Sequence, residues 1–369
     1  MSGPPELDPD AAAVAIRLVR VEVPLVVAHR SAHGDERVRD VVLVEWRRGD
    51  GVVGWGECPT VDQPGYSTET TEAAWRGLRD DLAPAALAGR SPRWGGLLAA
   101  AGALADARLD AALRSLDRSL LTELGGVARP LERSVVLADL GAAPDALAQR
   151  ALDAVAAGAA LVKLKIAPGA DVEPLGAVIA AVGAERVAAD ANGSYDDVDQ
   201  LAAVDELGLV YLEQPVAAGA TWDELATVTR SLRTPVALDE SLTSPDAVRD
   251  AVRAGAAGVV SVKPARLGGV RAAATAVELA RDAGVPAFVG GMLELGVGRA
   301  AAAAVAALPG CSLPTDLGSS DRYVERDVTE PVVVDDHGRL VLPDGPGCGR
   351  VPLPDVLDRC TVDTVTFTA

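Results

Sequence analysis

Lysine is almost missing from this sequence. Its 369 residues include only Lys163, Lys165 and Lys263; the remaining strong bases are all arginine. Positive charge is short as well: the formal net charge is −19, and such a surface repels phosphate backbones, which excludes nucleic acid as a partner. Cysteine is sparse. Cys58, Cys311, Cys348 and Cys360 form no CxxC pair, so a zinc site or redox motif is not indicated, and reduced thiols in a cytoplasmic protein are expected. Long apolar runs are lacking too. The alanine-rich run Ala300 to Leu308 is far too short to span a membrane. Met1 to Asp10 is polar and proline-rich, without the apolar core of a leader, and is expected to be a loose tail.

Where lysine is this rare, the positions that keep it carry information. Arginine serves as well wherever a fixed charge is needed, but only an ammonium can be tuned to release its proton near neutrality. Lys163 and Lys165 lie in the short apolar run Leu161-Val162-Lys163-Leu164-Lys165-Ile166. On a strand they point to one face and Leu164 to the other. Two like charges this close disfavour both being protonated, which points one of them to a base. Other rare residues fall at similar places: Asn192, the one asparagine, follows Asp190 at i+2, and Met292 sits in Gly290-Gly291-Met292-Leu293-Glu294.

The chain is long enough for one large domain or two ordinary ones. Ile16 to Val27 alternates like an amphipathic strand, and Asp40 to Trp46 and Val52 to Glu57 read as two more around Gly49-Asp50-Gly51. The polar stretch His29 to Asp35 reads as a loop between strands. Tyr66 to Ala88 and Leu97 to Leu121 read as helices. This pattern predicts an α+β domain over residues 1–128, with 1–12 its tail. From Ser134 onward, short apolar runs alternate with alanine-rich helical stretches. The runs end at Lys165, Asp190, Glu213, Asp239, Lys263, Gly290-Gly291 and Asp316, roughly 25 residues apart. Charged residues at strand after strand favour a (β/α)8-type barrel over an open doubly wound sheet, which gathers its site at one switch point. The barrel is expected over residues 129–322, with 323–369 returning to the first domain.

Asp190, Glu213 and Asp239 end three consecutive strands. Each alone reads as a helix cap. Three in series repel one another unless a cation lies between them, and a hard divalent ion such as Mg²⁺, or Mn²⁺, fits oxygen ligands. Lysines flank the three in chain order, and the second and sixth strands of a closed barrel face each other. A metal plus such a base serves proton abstraction alpha to a carboxylate.

The set Lys163-Leu164-Lys165, Asp190-Ala191-Asn192, Glu213-Gln214-Pro215, Asp239-Glu240-Ser241 and Lys263-Pro264 with Gly268-Gly269 resembles the enolase superfamily, muconate-lactonising subgroup. Gly54-Trp55-Gly56-Glu57-Cys58 looks like that family's capping-domain strand. Gly291-Met292-Leu293-Glu294 with Gly298-Arg299-Ala300, Ser320-Asp321-Arg322-Tyr323 and Pro346-Gly347-Cys348-Gly349 look like its o-succinylbenzoate synthase group, which includes N-succinylamino acid racemases. The resemblance covers nearly the whole chain. It implies that Asp190, Glu213 and Asp239 bind Mg²⁺, that Lys165 is the base and that Lys163 tunes it. Lys263 would be the opposing acid or base in a racemase, or a cation over the substrate ring in the synthase. Asn192, Glu240, Gly291, Met292 and Glu294 would support these groups or touch substrate, while His29 to Asp35 and the region of Tyr66 would close over the pocket. The implied reaction is the dehydration of a cyclohexadiene carboxylate to o-succinylbenzoate, a step toward menaquinone. The alternatives are N-succinylamino acid racemisation, or both; a dipeptide epimerase or a scaffold without activity is disfavoured. His29, His33 and His337 all lie outside the barrel stretch, which excludes a histidine base of the mandelate-racemase kind. Asp316-Leu317-Gly318 lacks the Asp-x-Asp of dipeptide epimerases. The resemblance also implies a small carboxylate substrate and a homo-oligomer.

Overall fold

The computed structural model describes residues 12–31, 34–61, 69–90 and 95–369, apart from the side chains of residues 27–36. The alternating apolar residues near the amino terminus form a long hairpin, β1 (Ala13–Ser31) with β2 (Gly34–Arg48). β3 (Val53–Cys58) pairs antiparallel with β2. The hairpin outruns the sequence reading. The stretch from His29, expected to be a loop, resumes the ladder after a register shift between Pro24 and His29, with His29 opposite Glu36, Arg30 opposite Asp35 and Ser31 opposite Gly34. Ala32, His33 and Tyr66 lie outside the described residues.

Helical chain then covers this sheet: α1 (Thr71–Gly77), a π-helical turn (Leu78–Leu82), α2 (Ala83–Leu87), α3 (Leu98–Ser115) and α4 (Leu120–Glu123). The second helix reaches Ser115, not Leu121. Asp117 has a φ of 51°, and Ser119 then caps a separate short helix. α3 lies directly on β3, backbone against side-chain-free strand. A Cβ on Gly56 would stand 1.9 Å from the Ala103 carbonyl oxygen, and one on Gly54 2.3 Å from that of Ala107. Small buried residues on α3, among them Ala100, Ala103, Ala107 and Ala111, permit the approach.

From Ser134 the chain alternates strand and helix. Seven parallel strands lie side by side in chain order: β4 (Ser134–Leu137), β5 (Leu161–Lys165), β6 (Val187–Asp190), β7 (Leu212–Glu213), β8 (Val236–Leu238), β9 (Val259–Val262) and β10 (Ala287–Val289). The helices between and after them are α5 (Pro144–Ala156), α6 (Val172–Val182), α7 (Ala202–Asp205), α8 (Trp222–Ser231), α9 (Pro245–Ala254), α10 (Pro264–Leu267), α11 (Val270–Asp282) and α12 (Gly296–Ala306). Their ends carry local signals. Thr221 and Glu224 form a capping box on α8, and α9 runs from a Ser244 cap through Pro245 to a left-handed Gly255. The segment 311–316 fills the eighth position. Asp316 N donates to Val289 O (3.0 Å), while Ser134 N donates to Thr315 O (2.8 Å) and Thr315 N to Glu132 O (2.9 Å), closing the ring as a barrel requires. The chain ends in α13 (Pro354–Cys360) and β11 (Thr361–Thr368), and β11 pairs antiparallel with β1, Ile16 opposite Phe367. Among the described residues no helix is long and apolar enough to cross a membrane, and all four cysteines are free.

Candidate active site at the mouth of the barrel

Strand alternation decides what the barrel interior contains. On β5, Val162 and Leu164 pack outward with the helix-side core, while Leu161, two residues before Lys163, joins an inner layer with Ala188, Tyr211, Ala237, Val259 and Phe288. Tyr211 and Phe288 stack there with centroids 5.2 Å apart. Lys163 sits above this apolar floor, its Nζ 5.1 Å from the Phe288 ring centroid. Lys165, one further step along the same face, reaches the mouth. The strand that carries the lysines thus has a dry lower half and a charged upper one.

Each expected carboxylate meets a lysine at this end. Lys163 Nζ donates to Glu213 Oε2 (2.5 Å) and to Asp316 Oδ2. Lys165 Nζ donates to Asp190 Oδ2 (3.1 Å) and to Asn192 Oδ1. Lys263 Nζ donates to Asp239 Oδ2 (2.7 Å), whose other oxygen accepts from Arg266 Nη1. Asn192 Nδ2 continues to Glu240 Oε1 (3.0 Å). Lys163, Asp190, Glu213, Asp239 and Lys263 are all buried. With each carboxylate turned to a base, no three acidic, histidine or cysteine side chains among the described residues stand at metal-binding spacing.

Burial makes these charges costly, and their neighbours decide which survive. For Lys163 burial opposes the ammonium, but Asp316 and Glu213 outweigh it and hold its pKa well above the ordinary range. Lys163 is therefore a fixed cation. Burial likewise opposes ionisation of Asp239 and Asp190. Arg266 and Lys263 prevail at the first, Lys165 and Lys163 at the second, and both carboxyls are held low. Glu213 goes the other way. Burial, then repulsion from Asp190, Asp239 and Asp316, pushes it up to about 8 against the pull of Lys163.

The backbone around the site is unusual. Asn192, Gln214 and Leu293 have φ of 43°, 38° and 56°, a region non-glycine residues rarely adopt, and all three stand at the mouth. The fully buried Gln214 shows what stabilises one of them. Its Oε1 accepts from Asp239 N (3.1 Å) and Ser241 N (3.3 Å), and its Nε2 donates to Ser241 Oγ (2.9 Å) and Val216 O (2.9 Å). That amide ties the end of β7 to the end of β8. Gly290 leaves room for Lys263: a Cβ there would stand 2.8 Å from Lys263 Cε.

The first sheet also reaches the mouth. Arg39, on β2, donates to the carbonyls of Leu293 (2.9 Å), Met292 (3.0 Å) and Thr60 (2.7 Å). Glu57, on β3, accepts from Leu295 N (2.6 Å) and Gly298 N (2.7 Å) at the start of α12. Glu294 Oε1 accepts from Met292 N (2.9 Å), and Arg299 holds Gly318 O (2.9 Å) and Ser319 O (3.0 Å). Between these walls lies an open cavity of about 710 Å³, lined by Lys163, Lys165, Lys263, Asp190, Gly291, Met292, Glu294 and Asp316 among others.

A family model described as enolase C-terminal domain-like matches residues 146–356. The chain belongs to the enolase superfamily. Its relatives in this superfamily include the N-succinylamino acid racemase of an Amycolatopsis species, 38% identical over 95% of this chain and 98% of that protein. The o-succinylbenzoate synthase of Geobacillus stearothermophilus is 35% identical over 90% and 91%. A solved enolase-superfamily member from Listeria innocua superposes with a TM-score of 0.89 at 28% identity, covering 97% of this chain and 99% of that one.

In this enolase-superfamily chain each of the three expected carboxylates meets one of the three lysines, and Asn192 and Glu240 extend the Lys165 contact. Met292 acts through its backbone. Four further groups escaped the sequence reading. Asp316 was recognised as a strand end but not as the Lys163 partner. Gln214 stands in the Glu213-Gln214-Pro215 motif without a role read from it, and Arg266 and Arg39 carry no signal beyond their positions next to a strand end or on an alternating strand.

Proposed function

We propose that this chain abstracts a proton alpha to a carboxylate and that its reaction is the dehydration giving o-succinylbenzoate. The observation that carries the reading is that the chain's three lysines all line one cavity and pair with Asp190, Glu213 and Asp239. Lys165 is the base and takes the alpha proton at Nζ. The carbon–oxygen bond on the neighbouring carbon then breaks on the same face, and the hydroxyl leaves as water with a proton returned by Lys165. Lys163, locked by Asp316 and Glu213, supplies fixed positive charge beside it. Lys263 faces the substrate from the opposite strand as a cation over the ring. Asp190, Glu213 and Asp239 are the residues that would hold a magnesium or manganese ion. Their donors are all hard oxygens on three adjacent strand ends, and Glu213, raised by burial first and then by its carboxylate neighbours, is a group whose charge a divalent cation would favour. When bound, the ion supplies positive charge to the substrate carboxylate as the alpha proton leaves.

Racemisation of N-succinylamino acids is a second reading, favoured by Lys165 and Lys263 lining the same cavity from the second and sixth barrel strands. One lysine would remove the proton and the other return it to the opposite face. The test is to assay the purified protein on both substrates, before and after chelation. Dehydration is expected, lost on chelation and restored by Mg²⁺ or Mn²⁺. Full turnover by metal-free protein, or no turnover of either substrate with metal present, contradicts the reading.

A further inference from the structure

The outer wall of the cavity carries charge that proton transfer does not use. In a chain of net charge −19, Arg37, Arg150 and Arg322 line it, with Asp139 as their acidic neighbour. Asp139 is engaged locally, accepting from Gly141 N (3.3 Å). Arg322 is the built member of the three. It is half-buried, and its Nη2 donates to Val136 O (3.0 Å) near the end of the first barrel strand. Its guanidinium carbon lies 5.9 Å from the Tyr323 ring centroid. Gly318 leaves space for its stem, since a Cβ there would stand 3.2 Å from Arg322 Cδ. Among the described residues no carboxylate pairs with it, and the bond to Val136 leaves Nε and Nη1 unused. With one Nη2 hydrogen on Val136, the second Nη2 hydrogen and the unused N–H beside it still form one edge, which suits a carboxylate received through two N–H groups.

We propose that Arg322 is the specificity residue for the distal carboxylate of a dicarboxylate substrate, whose proximal carboxylate lies at the lysines. The assignment rests on the reading above, that the substrate bears a succinyl group. Lys165 and Arg322 line the same cavity of about 710 Å³.

The test compares N-succinyl with N-acetyl derivatives of one amino acid, which differ in the distal carboxylate. Calorimetric binding and turnover are measured on the full chain with magnesium, for wild type, Arg322→Met and Arg322→Lys. A lost charge-assisted hydrogen bond corresponds to roughly a 10- to 100-fold effect. Wild type should bind the succinyl compound at least about tenfold more tightly. Arg322→Met should erase that preference and raise KM for the succinyl substrate, leaving the acetyl substrate within about twofold; Arg322→Lys should restore part of it. A preference that persists in Arg322→Met, or an equal loss on both compounds, overturns the assignment and leaves Arg322 a strut for Val136. If wild type turns over neither compound yet loses its binding preference on Arg322→Met, the racemase reading fails while the assignment of Arg322 stands.

Discussion

Single residues define this site because the chain spends so few of them. The rarity of lysine and asparagine marked Lys163, Lys165, Lys263 and Asn192 before any geometry was known. What rarity does not reveal is which ammonium is fixed. That depends on Asp316, some 150 positions away in the chain but one hydrogen bond away in space. Nor does it reveal how tightly Lys263 is boxed in. Gly290→Ala would bring a methyl group to 2.8 Å from Lys263 Cε and 3.1 Å from Ser261 Oγ. Lys263 is the softer neighbour, so it moves. The expected outcome is at least about a tenfold drop in kcat, with about 1–2 kcal/mol lost in urea denaturation. Unchanged kinetics in that variant would show that the position of Lys263 does not matter.

At the scale of elements, the barrel strands were the most legible. Each is a short apolar run ending in a charged or glycine position, and the parallel ladder buries both faces. The eighth position was legible only through its end at Asp316, and 311–316 joins its neighbours by isolated bridges instead of a continuous ladder. The β1–β2 hairpin was underestimated for a different reason. The stretch from His29 is polar, so apolar alternation stops while the backbone pairing resumes there after a register shift. The contact between α3 and β3 is the most demanding packing in the first domain. Gly56→Ala would push a Cβ into the Ala103 carbonyl, and the helix cannot retreat without opening the alanine seam. A loss of about 3 kcal/mol is expected by urea denaturation. A loss below about 0.5 kcal/mol would mean that the helix can slide off the strand.

At the scale of the molecule, carboxylates and guanidiniums on the first sheet join it to the barrel mouth. Glu57 is the clearest case. Burial pushes its carboxyl up to about 7, against the pull of the Gly298 and Leu295 amides. Its ordinary value is 4.5, so between these two pH values the folded protein keeps a proton that the unfolded chain has released. The stabilisation is complete below the lower value and is lost as pH rises through the upper one. The linkage is worth up to about 3 kcal/mol. Glu57→Gln is permanently neutral and lacks this dependence, although its amide replaces only one of the two acceptors. Its stability deficit relative to wild type should therefore shrink between pH 5 and pH 8 in urea titrations. A deficit constant across that range would show that Glu57 stays ionised in the fold.

In the racemase reading Lys165 and Lys263 move protons on opposite faces of one carbon, whereas dehydration needs a base only at Lys165. Arginine at either position keeps the charge but cannot release a proton near neutrality. Dehydration should survive in part in Lys263→Arg and vanish in Lys165→Arg. The most direct measurement is alpha-proton exchange with solvent deuterium, followed separately for each enantiomer of an N-succinylamino acid. Lys263→Arg should exchange the enantiomer whose proton faces Lys165 and leave the other untouched, and Lys165→Arg should show the reverse. Equal exchange of both enantiomers by either variant would contradict the two-face assignment.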